Sequence, residues 1–198
     1  MTGNGHIVSN CLSAVVLAGC VVYAHNIELN GFNTGECVMS FLFDMGVLPM
    51  PLYCILAFCL YFIGGLFPDV DTKTSLLGRL FYIPVEHRTW THTIYLPFCL
   101  LVLSWFCRPL FYFAFGMLVH LFWDSLSKGG VCFFYPFSQY RYFGSNGAKI
   151  KKGHKFYLYV TGKLSEKILL TMLSLFTVPV VVYLFSCFFM IMFQKCSF

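Results

Sequence analysis

Long runs without charge limit this chain more than any other feature. Ile7 to Tyr23, Val47 to Phe67 and Ile168 to Phe193 contain no Lys, Arg, Asp or Glu. A helix crossing a bilayer needs roughly 20 mostly apolar residues, about 17 to 25. A fourth run, Thr93 to Asp124, is broken at Cys107, Arg108 and Pro109, which predicts two short passes joined by a tight turn. The whole chain is 59% hydrophobic and 11% charged, against about 25% charged in a soluble domain. The expected fold is therefore all-α: a polytopic transmembrane helix bundle forming a single domain over residues 1–198. About five spans are expected, near 7–23, 47–67, 92–107, 109–126 and 168–193, with four as the fallback. No Lys or Arg precedes the first run, unlike the basic start of a secretory signal peptide, so the first span is expected to be retained.

The ten cysteines are scattered, with no CxxC and no zinc-finger spacing. Most lie in apolar runs, where a thiol behaves as a small hydrophobe.

With five spans, eleven of the thirteen Lys and Arg fall on the face shared by the N-terminus, residues 68–91 and residues 125–167. The other face holds Arg108 and Lys195 together with Glu28, Glu36 and Asp44. The positive-inside rule then predicts an integral protein of a bacterial-type cytoplasmic membrane, with its N-terminus in the cytoplasm and its C-terminus outside. Residues 127–167 alternate aromatic and basic side chains. This suits an interfacial segment against anionic lipid; membrane lipids are the expected partners and nucleic acid is not. Glu166 is expected to be a solvated helix-start residue paired with nearby lysines.

Against this dry background the histidines and acids fall in a pattern. His6 precedes span one, Asp69 and Asp71 follow span two, His87 and His92 precede span three, and His120 and Asp124 end span four. Start, end, start, end: all seven share the cytoplasmic face, and the site is expected there. His120 and Asp124 are four apart, one above the other on a helix. Pro68 should end its helix and present the two aspartates in a loop. Four imidazoles and three carboxylates suit one or two divalent cations, zinc first, with manganese or iron as alternatives. Seven donors exceed one closed zinc site, so some serve as orienting groups or as a base. Asp71 is the candidate base. Arg88 stays protonated; it either clamps an anionic substrate or transition-state oxygen or snorkels to headgroups. Trp90, Thr91 and Thr93 are expected to fix the helix entrance.

The stretches "TGNGH", "LFPDVDTKTSLLGR", "HRTWTHT" and "GMLVHLFWDSLSKGGVCFFYP" together resemble the YdjM-like family, described as LexA-regulated, membrane-bound, metal-dependent hydrolases. The resemblance covers residues 2 to about 137. It implies that His6, Asp69, Asp71, His87, His92, His120 and Asp124 are the family's polar signature. Thr72 stands where some members have a further histidine, and Thr89 where many have glycine.

The expected function is metal-dependent hydrolysis of an ester or phosphoester in a lipid, lipid-linked or phosphorylated substrate. No GxSxG occurs, which argues against a serine lipase. The rivals are ion transport, disfavoured because the span middles are dry, and a metal that only staples the helices.

Overall fold

The computed structural model describes residues 3–25, 50–138 and 157–195. The acidic loop near 26–46 and residues 139–156 of the interfacial segment lie outside the described residues. Five α-helices follow in order: α1 (Gly3–His25), α2 (Met50–Leu66), α3 (Tyr95–Leu103), α4 (Pro109–Ser125) and α5 (Leu164–Lys195). Two short 3₁₀ turns, Phe67–Asp71 and Trp90–His92, lie between α2 and α3. Among the described residues there is no strand. One parallel bridge, Ser127 to Tyr159, ties the chain before α5 to the end of α4. The all-α expectation holds.

The helix α2 packs along α4, while α1 packs against α5, α2 and α4, and α3 leans on α4. Glycines set the α2–α4 distance. A Cβ at Gly116 would stand 2.0 Å from the Tyr61 carbonyl oxygen, and one at Gly64 would stand 2.1 Å from that of Phe113. Two backbones can approach this closely only where both lack side chains. Hydrogen bonds pin α1 to the pair: Tyr61 donates to the Asn10 carbonyl at 3.1 Å, and Trp123 Nε1 donates to Ser13 Oγ at 3.2 Å.

The expected spans need correction. Residues 92–107 do not form one continuous α-helix. The nine residues of α3 rise only about 13.5 Å, less than half of a hydrocarbon core of about 30 Å. Turns over Ser104–Cys107 complete that leg of an α3–α4 hairpin. The 17-residue helices α2 and α4 sit at the lower length limit. Among the described residues, only Leu164–Tyr183 within α5 is long and apolar enough to cross on its own, and Gly5–Val16 is a shorter apolar stretch. The described residues thus show one helix that is long and apolar enough by itself, set in a chain of five helices. Its exterior is nonetheless apolar: Phe58 on α2, Phe98 on α3 and Phe176 on α5 are all more than half exposed, a surface water solvates poorly.

Glu166 also departs from expectation. It is 2% exposed, and its Oε2 accepts the Gly162 N–H at 2.6 Å. The cause is the docking of Tyr159, whose hydroxyl donates to the Trp123 carbonyl at 2.6 Å. That contact draws the turn leading into α5 into the protein, where its backbone N–H groups need acceptors. Glu166 and Ser165, whose Oγ accepts from the Val160 N–H, supply them.

Candidate metal centre

The four chain segments that carry the polar signature meet at one end of the bundle. His6 lies in the first turn of α1, Asp69 and Asp71 on the 3₁₀ turn that Pro68 opens, His92 on the second 3₁₀ turn, and His120 and Asp124 on the last turns of α4. His6, His92, His120 and Asp124 are each no more than 1% exposed, and Asp69 is 9% exposed.

Their facing atoms form a shell. His6 Nε2 is 3.2 Å from Asp124 Oδ1 and 3.9 Å from Asp69 Oδ2. His92 Nε2 is 3.6 Å from Asp124 Oδ2 and 3.8 Å from Asp69 Oδ1. His120 Nε2 is 3.7 Å from Asp69 Oδ1 and 3.9 Å from Asp124 Oδ2. Two atoms that each lie about 2.1 Å from a tetrahedral ion stand about 3.4 Å apart. The spacing is that of ligands around a common ion, wider than direct hydrogen bonds in all but the His6–Asp124 pair.

Outer partners fix which ring nitrogen faces inward. His120 Nδ1 lies 2.7 Å from the Gly65 carbonyl oxygen. A carbonyl only accepts, so Nδ1 carries the proton and Nε2 presents a lone pair. His92 Nδ1 lies 3.0 Å from Thr91 Oγ1, and Thr91 Oγ1 donates to Asp71 Oδ2 at 2.5 Å. The Thr91 hydroxyl proton is thereby committed to Asp71, so its oxygen accepts from His92 Nδ1–H, and His92 Nε2 is likewise a lone pair. Neither Nε2 atom has a hydrogen-bond partner among the described residues. Two buried imidazole lone pairs facing two carboxylates are costly unless a cation lies between them, and imidazoles held in this way by outer partners are the pattern of metal ligands. The residues present fit a divalent ion. Three overlapping groups can hold one: His6 with Asp69 and His120, His92 with His120 and Asp124, and Asp69 with His87 and His92.

Asp69 and Asp71 part company on their 3₁₀ turn. At about three residues per turn, positions two apart point roughly 240° from each other. Asp69 faces the shell. Asp71 faces the second 3₁₀ turn, where Oδ1 takes His87 Nδ1 at 2.7 Å and Thr72 Oγ1 at 3.1 Å, and Oδ2 takes Thr91. Burial pushes the Asp71 carboxyl up, but the hydrogen bonds from His87, His92 and Thr91 outweigh it and hold the group well below the usual carboxylate range. Asp71 orients two histidines instead of facing the shell. His87 sits at the rim, its side chain 43% exposed.

Arg88 points inward. Its guanidinium pairs with Asp124 Oδ2 at 3.2 Å and donates to Ser127 Oγ at 3.2 Å and to the Gly130 carbonyl at 3.3 Å. Its backbone φ is 66°, uncommon for a side chain of this size and costing on the order of 1–3 kcal/mol. The ion pair in a dry site offsets that strain. A Cβ at Gly129 would stand 1.6 Å from Arg88 Nη1, so the space the guanidinium occupies exists because residue 129 has no side chain.

Of the seven sequence candidates, five line the shell, His87 stands at its rim and Asp71 lies behind His92. Sequence reasoning underrated Thr91 and passed over Gly65, Ser127 and Gly129. The run Ser127-Lys128-Gly129-Gly130, separated by two residues from the HxxxD pair, was the available signal for the last two.

Neither a curated protein nor a solved structure matches the chain. A family model, that of the YdjM inner membrane protein, matches residues 1–194, extending the resemblance well beyond the motif-bearing part. The shell is thus built from the residues that carry the resemblance, in a chain with an apolar exterior. The chain belongs to the YdjM inner membrane protein family.

Proposed function

We propose that this chain is a membrane-embedded, metal-dependent hydrolase acting at the cytoplasmic face on an ester or phosphoester of a lipid or lipid-linked substrate, with zinc as the first candidate ion. One observation carries the reading: two buried imidazoles present unpartnered Nε2 lone pairs towards two carboxylates, with each Nδ1 proton already placed. His6, Asp69, His92, His120 and Asp124 would hold the ion. When bound, it supplies Lewis acidity, polarising an ester oxygen and acidifying water.

The chain's own residues supply the rest. Arg88 holds the Asp124 side chain in place through its pair with Oδ2. His87 is the proton carrier: Asp71 fixes its Nδ1, and its ring reaches solvent at the rim, so it can take a proton from water and later deliver one to the leaving oxygen. Alternating directions of travel support a bundle of about five passes, since residues at the starts of α1 and α3 meet residues at the ends of α2 and α4. The excess of Lys and Arg on that face supports the cytoplasmic assignment.

The test is hydrolysis of an ester panel by the purified, zinc-loaded chain. The proposal expects turnover that a chelator abolishes and zinc restores, with His87→Gln losing about 10²–10⁴-fold in rate while retaining zinc. Turnover that survives complete chelation contradicts it.

A further inference from the structure

Only one member of the buried shell leads to an opening. The side chain of Asp69 is 12% exposed, against at most 1% for His6, His92, His120 and Asp124. It lines a cleft of about 160 Å³ together with Ile7, Leu66, Leu76, Thr74 and Arg79. That is several times the roughly 30 Å³ share of one water, room for a compact headgroup and its first methylenes.

The cleft has two chemistries. Ile7, Leu66 and Leu76 make part of its lining apolar; Thr74, Ser75 and Arg79 join Asp69 in the polar part. Arg79 is exposed, and no acid lies within ion-pair distance of it among the described residues. Its place is fixed by the loop beneath. Ser75 Oγ donates to the Asp69 carbonyl at 2.7 Å and accepts the Gly78 N–H at 2.9 Å, and Arg79 N–H donates to the Ser75 carbonyl at 3.2 Å. The same turn that presents Asp69 therefore also presents Arg79. Beyond it the loop turns greasy and outward: Leu76 is 57% exposed, and Leu80 and Phe81 are 71% exposed each. Apolar residues flanking a cation are the pattern of a segment seated at headgroup depth.

We propose that this cleft binds the phosphate-bearing headgroup of a membrane lipid, with Arg79 as partner of the anion and Ile7, Leu66 and Leu76 against the start of the chain. Guanidinium is the side chain best matched to phosphate oxygens. The proposal deepens the hydrolase reading, resting on it only in treating Asp69 as the link from headgroup to reacting centre.

The zinc-loaded full chain, held in amphipol, is titrated by calorimetry with dodecyl phosphate and separately with inorganic phosphate. Dodecyl phosphate is expected to bind at least about tenfold more tightly. Arg79→Gln is expected to weaken dodecyl phosphate about 10- to 100-fold with zinc content unchanged, and Arg79→Lys to recover part of that loss. Leu76→Ser is expected to weaken dodecyl phosphate and leave inorganic phosphate unaffected. Equal affinity for the two probes, or wild-type affinity in Arg79→Gln, overturns the proposal. A wild type that binds dodecyl phosphate through Arg79 but hydrolyses no ester refutes the hydrolase reading alone. Chelator-sensitive hydrolysis with binding indifferent to Arg79 refutes this proposal alone.

Discussion

Thr91 shows how much of this site depends on single hydrogen atoms. Its hydroxyl gives its proton to Asp71 and takes one from His92, and that exchange decides which nitrogen of His92 looks into the shell. Valine has the same shape and no hydroxyl, so Thr91→Val removes the relay with little change in packing. Zinc affinity is expected to fall about 10–100-fold, the usual loss when a ligand's outer partner is removed, read by competition against a chromophoric chelator. Unchanged affinity would mean that His92 is not held through Thr91. The residue types at the site were legible in the sequence, because imidazoles and carboxylates at the ends of dry segments have few other reasons to be there. Their roles were less so. Choosing Asp69 over Asp71 as the inward carboxylate depends on the 3₁₀ geometry after Pro68, and the inward turn of Arg88 depends on a missing Cβ forty-one positions later, at Gly129.

At the scale of elements, the α2–α4 crossing matters most, because both helices deliver ligands through it. The Gly65 carbonyl that fixes His120 lies on α2, and Gly116 of α4 packs against it: a Cβ at Gly116 would stand 2.7 Å from the Gly65 nitrogen and 2.0 Å from the Tyr61 oxygen. Both obstacles are backbone, so the helices must separate. Gly116→Ala is expected to cost about 1–3 kcal/mol, seen as a lowered melting temperature, and to weaken zinc binding as His120 loses its acceptor. A variant with wild-type melting temperature and affinity would contradict this account of the crossing. Runs without charge located α2, α4 and α5 well. It failed at α3, where residues 92–107 read as one greasy run but the backbone turns after Leu103, and at Glu166, whose burial follows from Tyr159 docking on Trp123. Contacts between distant segments leave no local pattern to read.

For the whole molecule, the order start, end, start, end along the chain becomes convergence in space, because consecutive helices run in opposite directions. That much followed from the sequence alone. The helices leave a lipid-compatible exterior, and the buried His and Asp side chains of the shell gather at one end, with Asp69 opening to the Arg79 cleft and His87 reaching the rim. The arrangement is costly unless a cation sits among the five inward donors. X-ray absorption at the zinc edge of the loaded, purified chain tests this most directly. The account predicts a first shell of nitrogen and oxygen only, at about 2.0–2.2 Å, with outer scattering from imidazole rings that diminishes in His92→Ala and in His120→Ala. A sulfur shell near 2.3 Å, or a spectrum unchanged in both variants, would contradict it.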